Sequence, residues 1–334
     1  VSKVLSLKVA LLSVLMLATA CSSGSPTSGQ LTKLKVAFLP FLSNAVLQIA
    51  QDDGYFKEQG LDVEFIKASS TNTVFAGLLK GDLDVLPGIL NPALLNAMAR
   101  GGRVKIVADK SRMSGTCDYS TGMARTEVAE RIKSGGGLRG LTFRAPTDLN
   151  LVSEYFTDKV LGRYGSTRAD VKFVKVDVNA IPDAMQKGQV DVVFVSEPTI
   201  SQIVSSGAGQ AVFSAKDFVP DFEAGIVEFG PSLLDKNPEA GRRFMVAYLK
   251  ALKTYSQGAT DRNVASISKF TGLDPGLVRK MCLSPVSKDG SLNIESIVTL
   301  EEWGKKEGLI DKVLSPAQFY DSSFLEYARN HPGS

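Results

Sequence analysis

One histidine, three cysteines and one tryptophan in 334 residues remove several kinds of chemistry before any motif is sought. A Ser–His or Cys–His nucleophile needs an imidazole beside it, and the sole His331, near the end of the chain and next to Pro332, reads as a tail residue. Zinc sites built on imidazole fail by the same argument. Cys117 and Cys282 sit in no C-x-x-C or other metal-like spacing; both read as buried thiols, and the sequence leaves open whether they meet. We therefore expect no metal ligands and no catalytic residues.

Phosphate-binding patterns are missing as well. There is no G-x-x-x-x-G-K-[ST], and no G-x-G-x-x-G follows a strand-like run; Gly135-Gly136-Gly137 precedes a strand and reads as a surface turn. No cofactor is implied. The 38 basic and 35 acidic side chains balance to +3, without a basic patch that would point to nucleic acid. Carboxylate pairs such as Asp52-Asp53, Asp82 with Asp84, and Glu301-Glu302 fall where solvated helix ends or faces would; a glycosidase pair has no positive support. Past Gln30 no stretch is long and apolar enough for a transmembrane helix.

What is present begins with the first thirty residues. Lys3 and Lys8, an apolar run over 9–17 and the small residues Ala18-Thr19-Ala20 have the anatomy of an export signal. The run is too short to span a bilayer permanently. A small residue before Cys21 and the polar stretch 22–30 resemble a bacterial lipobox with its tether. Cys21 is thus the candidate lipidation site, with a signal peptide over 1–20 and a flexible tether over 21–32. An exported protein held by lipid on a periplasmic or cell-surface membrane face is expected.

The body of the chain writes one corner twice. "LLKGDLDVLPGILNPA" (78–93) returns as "MQKGQVDVVFVSEPT" (185–199), and Asp62-Val63-Glu64-Phe65-Ile66-Lys67 is echoed by Asp170-Val171-Lys172-Phe173-Val174-Lys175 at nearly the same offset, roughly a hundred residues. Each half reads strand, polar loop, amphipathic helix, Lys-Gly, strand, then a turn with Pro. The spacing predicts strands over 34–38, 63–66, 84–86 and 141–144, a helix from Ser43 to Gly60, another over 73–80 capped by Gly81, and helices over 243–255, 263–270 and 294–307. Alternating strands and helices of this length imply parallel pairing through right-handed crossovers. The expected fold class is α/β, with lobe one from 33–115 plus 213–334, lobe two from 116–212, and two crossings that form a hinge.

In open α/β sheets, ligands bind at the carboxyl ends of strands, where helix N-termini point N–H groups into a crevice. Short polar or aromatic loops follow the predicted strands at 40–44, 69–72, 88–91, 112–115, 145–150 and 196–198. Helix capping explains Ser, Thr, Asn and Asp there equally well, and one side chain can do both.

The strings "SNAVLQIAQDDGYFKEQGLDVEF" (43–65), "GLLKGDLDVLPG" (77–88), "LRGLTFRAP" (138–146), "MQKGQVDVVFVSEP" (185–198), and "WGKKEGLI" through "SFLEYA" (303–328) resemble the substrate-binding proteins of ABC importers for nitrate, sulfonates, taurine and thiamine-pyrimidine precursors. The resemblance covers nearly all of the chain past the tether, most specifically at 54–63. It implies a periplasmic binding protein type II fold, a monomer whose two lobes close on a small solute and then dock on a permease with its ATPase. By position it points to Phe41, Ser43, Asn44, Ser70, Thr71, Gly88, Asn91, Ser114, Thr147, Asn150 and Glu197 as ligand contacts, with Asp118 and Tyr119 as weaker candidates. Arg112 is the only cation in those loops, whereas Phe41 offers an apolar face and Glu197 an acceptor. A small, partly apolar organic solute, sulfonate-like, aromatic or pyrimidine-like, is expected over nitrate. A sensory ligand-binding protein of the same fold uses the same closure, and a pyrimidine-precursor synthase is a further alternative, disfavoured by the lone tail His. Glu58 and Asp158 are candidate permease contacts.

Overall fold

The computed structural model describes residues 30–39, 41–68, 71–114, 117–145 and 149–332. The chain divides into residues 1–30 and a second unit, Leu31–Ser334. The expected signal peptide, Cys21 and most of the tether lie outside the described residues, as do Ser70 and Thr147. Among the described residues no helix is long and apolar enough to cross a membrane.

The second unit is built on ten described strands: β1 Thr32–Phe38, β2 Leu61–Lys67, β3 Val85–Gly88, β4 Lys105–Met113, β5 Ser120–Arg125, β6 Thr142–Ala145, β7 Lys172–Lys175, β8 Val192–Ser196, β9 Gly209–Ser214 and β10 Phe222–Phe229. They form two sheets, ordered β2-β1-β3-β10-β4 and β7-β6-β8-β5-β9. In each sheet the second strand pairs in parallel with its two neighbours and the fourth is antiparallel to both of its own. The two sheets match position for position, which is the architecture behind the repeated strings.

The repeated corner works by the same bonds both times. Helices Thr71–Lys80 and Ile181–Gln186 end close to Gly81 and Gly188, whose φ values of 80° and 68° lie in the left-handed region that Gly tolerates. Three residues on, Asp84 donates its N–H to the Lys35 carbonyl (2.9 Å) and accepts from the Lys35 N–H through Oδ2 (2.7 Å). Asp191 does the same to Thr142, at 2.8 and 2.9 Å. Each Asp thereby fixes the register of the third strand of its sheet against the second, Val36 opposite Val85 and Phe143 opposite Val192.

One expected helix is interrupted. A 3-10 turn at Leu42–Asn44 leads into Ala45–Asp52, and Gly54, with φ 77°, breaks the chain before Tyr55–Glu58. The long tail helix Pro238–Tyr255 buries Phe244, Tyr248 and Leu252 in one apolar cluster with Val36 and Val85 of the first sheet. A second cluster runs from Leu39, Leu86 and Leu90 beside the first sheet to Leu151, Tyr155 and Phe156 beside the second. Along this seam Tyr155 stacks on Phe222 and meets Trp303 edge-on, and the Leu151 N–H donates to the Leu90 carbonyl (3.2 Å).

Cys117 and Cys282 do not stay as thiols: they form a disulfide, Cα to Cα 5.8 Å, that ties the segment between β4 and β5 to the tail. Sequence spacing hid the pair because 165 residues separate its members. Glu58 and Asp158 are both engaged within the molecule, Glu58 with Lys250 (2.5 Å) and Asp158 with Arg168 (2.6 Å) and the Trp303 indole N–H (3.2 Å). His331 is not a frayed end, since its ring stacks on Tyr327 at 4.1 Å.

Candidate functional site

A cavity of about 220 Å³ lies between the two sheets and is walled by both. From the first sheet come Phe41 and Ser43 after β1, Thr71 at the head of its helix, Ile89 after β3, and Lys110 and Ser111 within β4. Arg144 at the end of β6, Asn150 and Ser153 at the head of helix Leu151–Arg163, and Phe194 to Thr199 at the end of β8 come from the second. Tyr119, on the crossing into β5, and Ser284, beyond the disulfide, complete it. Strand ends and helix starts supply most of this lining, as expected for an α/β crevice.

The two cations of the lining stand on different sheets. Lys110 is 2% exposed, places Nζ 4.7 Å from the Phe41 ring centroid and donates to the Pro87 carbonyl (3.2 Å). Burial pushes its ammonium down to about 7, opposed by the nearby carboxylates of Glu228 and Asp109. Arg144 donates Nε–H to the Val176 carbonyl (2.9 Å), the one hydrogen bond of its guanidinium among the described residues. Burial also lowers Arg144, but a guanidinium remains charged. A small anion between the sheets would thus meet a point charge from one side and a planar fork from the other.

Of the expected contacts, Phe41, Ser43, Thr71, Asn150 and Glu197 line the cavity. Glu197 also accepts from the Ser201 N–H (3.0 Å) and Oγ (2.9 Å), so it braces the helix start as well as facing inward; burial raises its carboxyl. Four others stand outside the lining. Asn44 is fully buried and donates to the Leu39 carbonyl. At Gly88 an added Cβ would meet Glu228 Oε1 at 2.8 Å, so the residue serves close packing behind Thr71. Asn91 caps helix Pro92–Ala99 by accepting from the Leu94 N–H (3.0 Å), and Ser114 is only half-buried beside the crossing. Of the weaker candidates, Tyr119 lines the cavity and donates to Ser111 Oγ (3.3 Å), whereas Asp118 pairs with Lys216 (3.5 Å).

Asn91→Ala is accordingly expected to lower stability by about 1 kcal/mol, the usual worth of a lost cap, with solute affinity unchanged. Chemical denaturation beside calorimetry would show it; a large affinity loss at constant stability would place Asn91 in the site after all.

Arg112, the only cation of the strand-end loops, stands outside the lining. Arg112 faces Glu223 (3.5 Å), Asp221 (3.8 Å) and Asp109 (3.9 Å) and donates to the Ser291 carbonyl, so it holds the crossing strands to the tail. Lys110 and Arg144 lie outside the strand-end loops: Lys110 is inside β4, and Arg144 is the penultimate residue of β6. A signal did exist, since Asp109-Lys110-Ser111 follows the apolar run Ile106-Val107-Ala108 in β4 with three polar residues, all buried.

Two paired sheets with a cation-bearing crevice between them form a two-lobed α/β architecture. The chain belongs to the NMT1-like family, whose model matches residues 28–269. YtlA of Bacillus subtilis, which carries the name of a binding protein, is 26% identical over 294 residues, 84% of each chain. Among solved structures, the ligand-binding component of an ABC-type import system from Staphylococcus aureus, with zinc bound, superposes with a TM-score of 0.74 at 14% identity, covering 89% of this chain and 99% of that one. The alkanesulfonate-binding protein SsuA from Xanthomonas axonopodis, bound to MOPS, gives 0.68 at 15% identity over 88% and 99%. The two-lobed α/β architecture is therefore that of periplasmic binding proteins. A desulfurization enzyme, DSZB, shares it as well (TM-score 0.61, 13% identity, covering 90% and 99%), so the fold alone does not separate binding from catalysis.

Proposed function

We propose that the protein is the solute-binding component of an ABC importer and that its solute is a small organic anion, of the sulfonate or carboxylate kind, with a flat apolar body. The observation that carries this reading is the placement of Lys110 and Arg144 on opposite walls of one cavity whose remaining surface includes Phe41, Phe194 and Val152. The anionic head sits between the cations, and the body lies against the rings. A cavity of about 220 Å³ suits a molecule of this size better than a bare nitrate ion.

In this reading residues 33–115 with 213–334 move against 116–212, the crossings serve as hinge, and Phe41, Ser43, Thr71, Asn150 and Glu197 contact the solute with the two cations. Closure follows because only the closed form engages both walls. Cys21 carries the lipid that keeps the protein at a membrane face, and Cys21→Ser would release it to the soluble fraction. The lining contains neither His nor Cys, so its hydroxyls lack an imidazole base.

Calorimetry against benzenesulfonate, MOPS, taurine, benzoate, nitrate and neutral amides tests the class. Binding of one or more organic anions, with nitrate and the amides weaker by at least about tenfold, is the expected outcome. Tight nitrate binding with no response to any organic compound would overturn it.

A further inference from the structure

One feature of the cavity wall is not needed to hold an anion. Glu228 on β10 is completely buried, and neither of its carboxylate oxygens has a hydrogen-bond partner among the described residues. It stands one layer behind the lining, with Oε1 against the space above Gly88 and beside Thr71, whose own Oγ1 is buried without a partner among the described residues. Its nearest source of positive charge is Lys110, and the two interact through their charges. They do not form a hydrogen bond, and Lys110 donates to the Pro87 carbonyl.

A buried acid and a buried base in this relation settle in the state of least net charge, since an uncompensated charge is costly away from water. In the empty cleft above neutral pH they hold one proton between them, on the Glu228 carboxyl with Lys110 as the free amine, so that neither group is charged. An entering anion changes which state is neutral. Ammonium, carboxylic acid and bound anion together again sum to zero, and that arrangement contains one more proton.

We propose that the Lys110–Glu228 pair is the element that selects an anionic head group over a neutral isostere, and that it does so by taking up one proton from solvent as the anion enters. The proton ends in the pair, with Lys110 Nζ as ammonium against the anion and Glu228 as the neutral acid; an N–H bond forms at Nζ with the proton given up by solvent, and no bond between heavy atoms changes. A neutral solute draws in no proton and leaves the wall uncharged. This rests on the organic-anion reading above and adds how the site recognises charge.

The surroundings of Lys110 favour such a pair. Glu228 faces it from β10 and Asp109 lies beside it on β4, with Phe41 over its ammonium. Asp109 is itself engaged with Glu223 of β10 and with Arg112, and Tyr119 stands near both acids. Arg144 and Glu197 share the cavity from the second sheet. Burial raises Glu228 well above the ordinary carboxylate range while lowering Lys110, so both titrate far from their usual positions.

The sign follows directly. The bound state holds one more proton than the empty state above neutral pH, so anion affinity falls as pH rises from about 7, by about tenfold per unit. Binding of a neutral isostere stays flat.

Two measurements on the full-length protein test this. In the first, 13C-labelled lysine is titrated in the empty protein, with the Lys110 signal assigned by its loss in Lys110→Arg. A midpoint near neutrality that moves up by a unit or more with saturating benzenesulfonate is expected. A Lys110 signal that stays charged beyond pH 9 in the empty protein overturns the inference while leaving the solute-binding reading intact. In the second, calorimetry at pH 8 in buffers of different ionisation enthalpy compares benzenesulfonate with methyl phenyl sulfone. About one proton taken up with the sulfonate and none with the sulfone is expected, with uptake lost in Lys110→Arg combined with Glu228→Gln, which leaves neither member of the pair able to titrate. Sulfonate binding without proton uptake overturns the inference. Binding of the sulfone but of no organic anion overturns the anionic reading and this inference with it.

Discussion

Lys110→Met is expected to weaken binding of an organic anion by about a hundredfold or more while the protein stays folded. Removing one partner of a buried, charge-assisted contact commonly costs about 2–5 kcal/mol, because the remaining charge is left without compensation. Here the loss falls on the complex alone. In the empty protein, Met fills much of the volume of the lysine stem and replaces a buried amine by an apolar group, a change that is often neutral or stabilising. Glu228 then rests as the neutral acid, toward which burial already pushes it. Arg144→Met acts from the other wall and is expected to cost a similar amount. The two losses should fall short of additive, since a single anion bridges both groups. Calorimetry on both single variants and the double variant, with circular dichroism to confirm folding, gives the result. Full affinity in Lys110→Met would remove the cation from the site and with it the anionic reading.

Breaking the Cys117–Cys282 bond is expected to be the largest single loss of stability. The bridge joins residues 165 apart, and closing a loop of that length restricts the unfolded chain by about 5 kcal/mol in the chain-entropy model. Native strain and residual unfolded structure reduce such figures, so a loss of about 2–5 kcal/mol is expected, with a fall in Tm of roughly 5–15 °C. Cys117→Ser with Cys282→Ser, or reduction checked by thiol titration, would report it. The bond lies where a loose crossing matters most. Cys117 belongs to the segment between β4 and β5, and Cys282 is two residues before Ser284 in the cavity lining. An unchanged Tm after complete reduction would show that the tail holds this segment without the bond, through Arg112 and its acidic partners.

The repeated corner was legible because its residues do one backbone job twice. Lys-Gly ends a helix, and the following Asp binds both polar groups of a strand residue, so the string survives wherever that geometry is needed. Strand-end loops were legible for the same reason: periodicity places them, and the crevice follows from the topology. What periodicity does not report is depth. Asn44, Asn91 and Gly88 occupy the expected loops but turn to caps and close packing, and nothing in their immediate sequence distinguishes them from Ser43 or Thr71 in the cavity. Lys110 and Glu228 show the opposite failure. Charged residues within strands usually mark a solvated face, and only the stacking of β10 between β3 and β4 buries this pair. The disulfide depends on tertiary distance alone.

The central claim is that an organic anion sits between the two sheets, held by Lys110 from one and Arg144 from the other. A crystal structure of the protein with its tightest-binding organic anion tests this most directly. The account predicts the charged head between the Lys110 ammonium and the Arg144 guanidinium, with the body against Phe41 and Phe194. A solute bound outside this cavity, or with its head away from both cations, would contradict it.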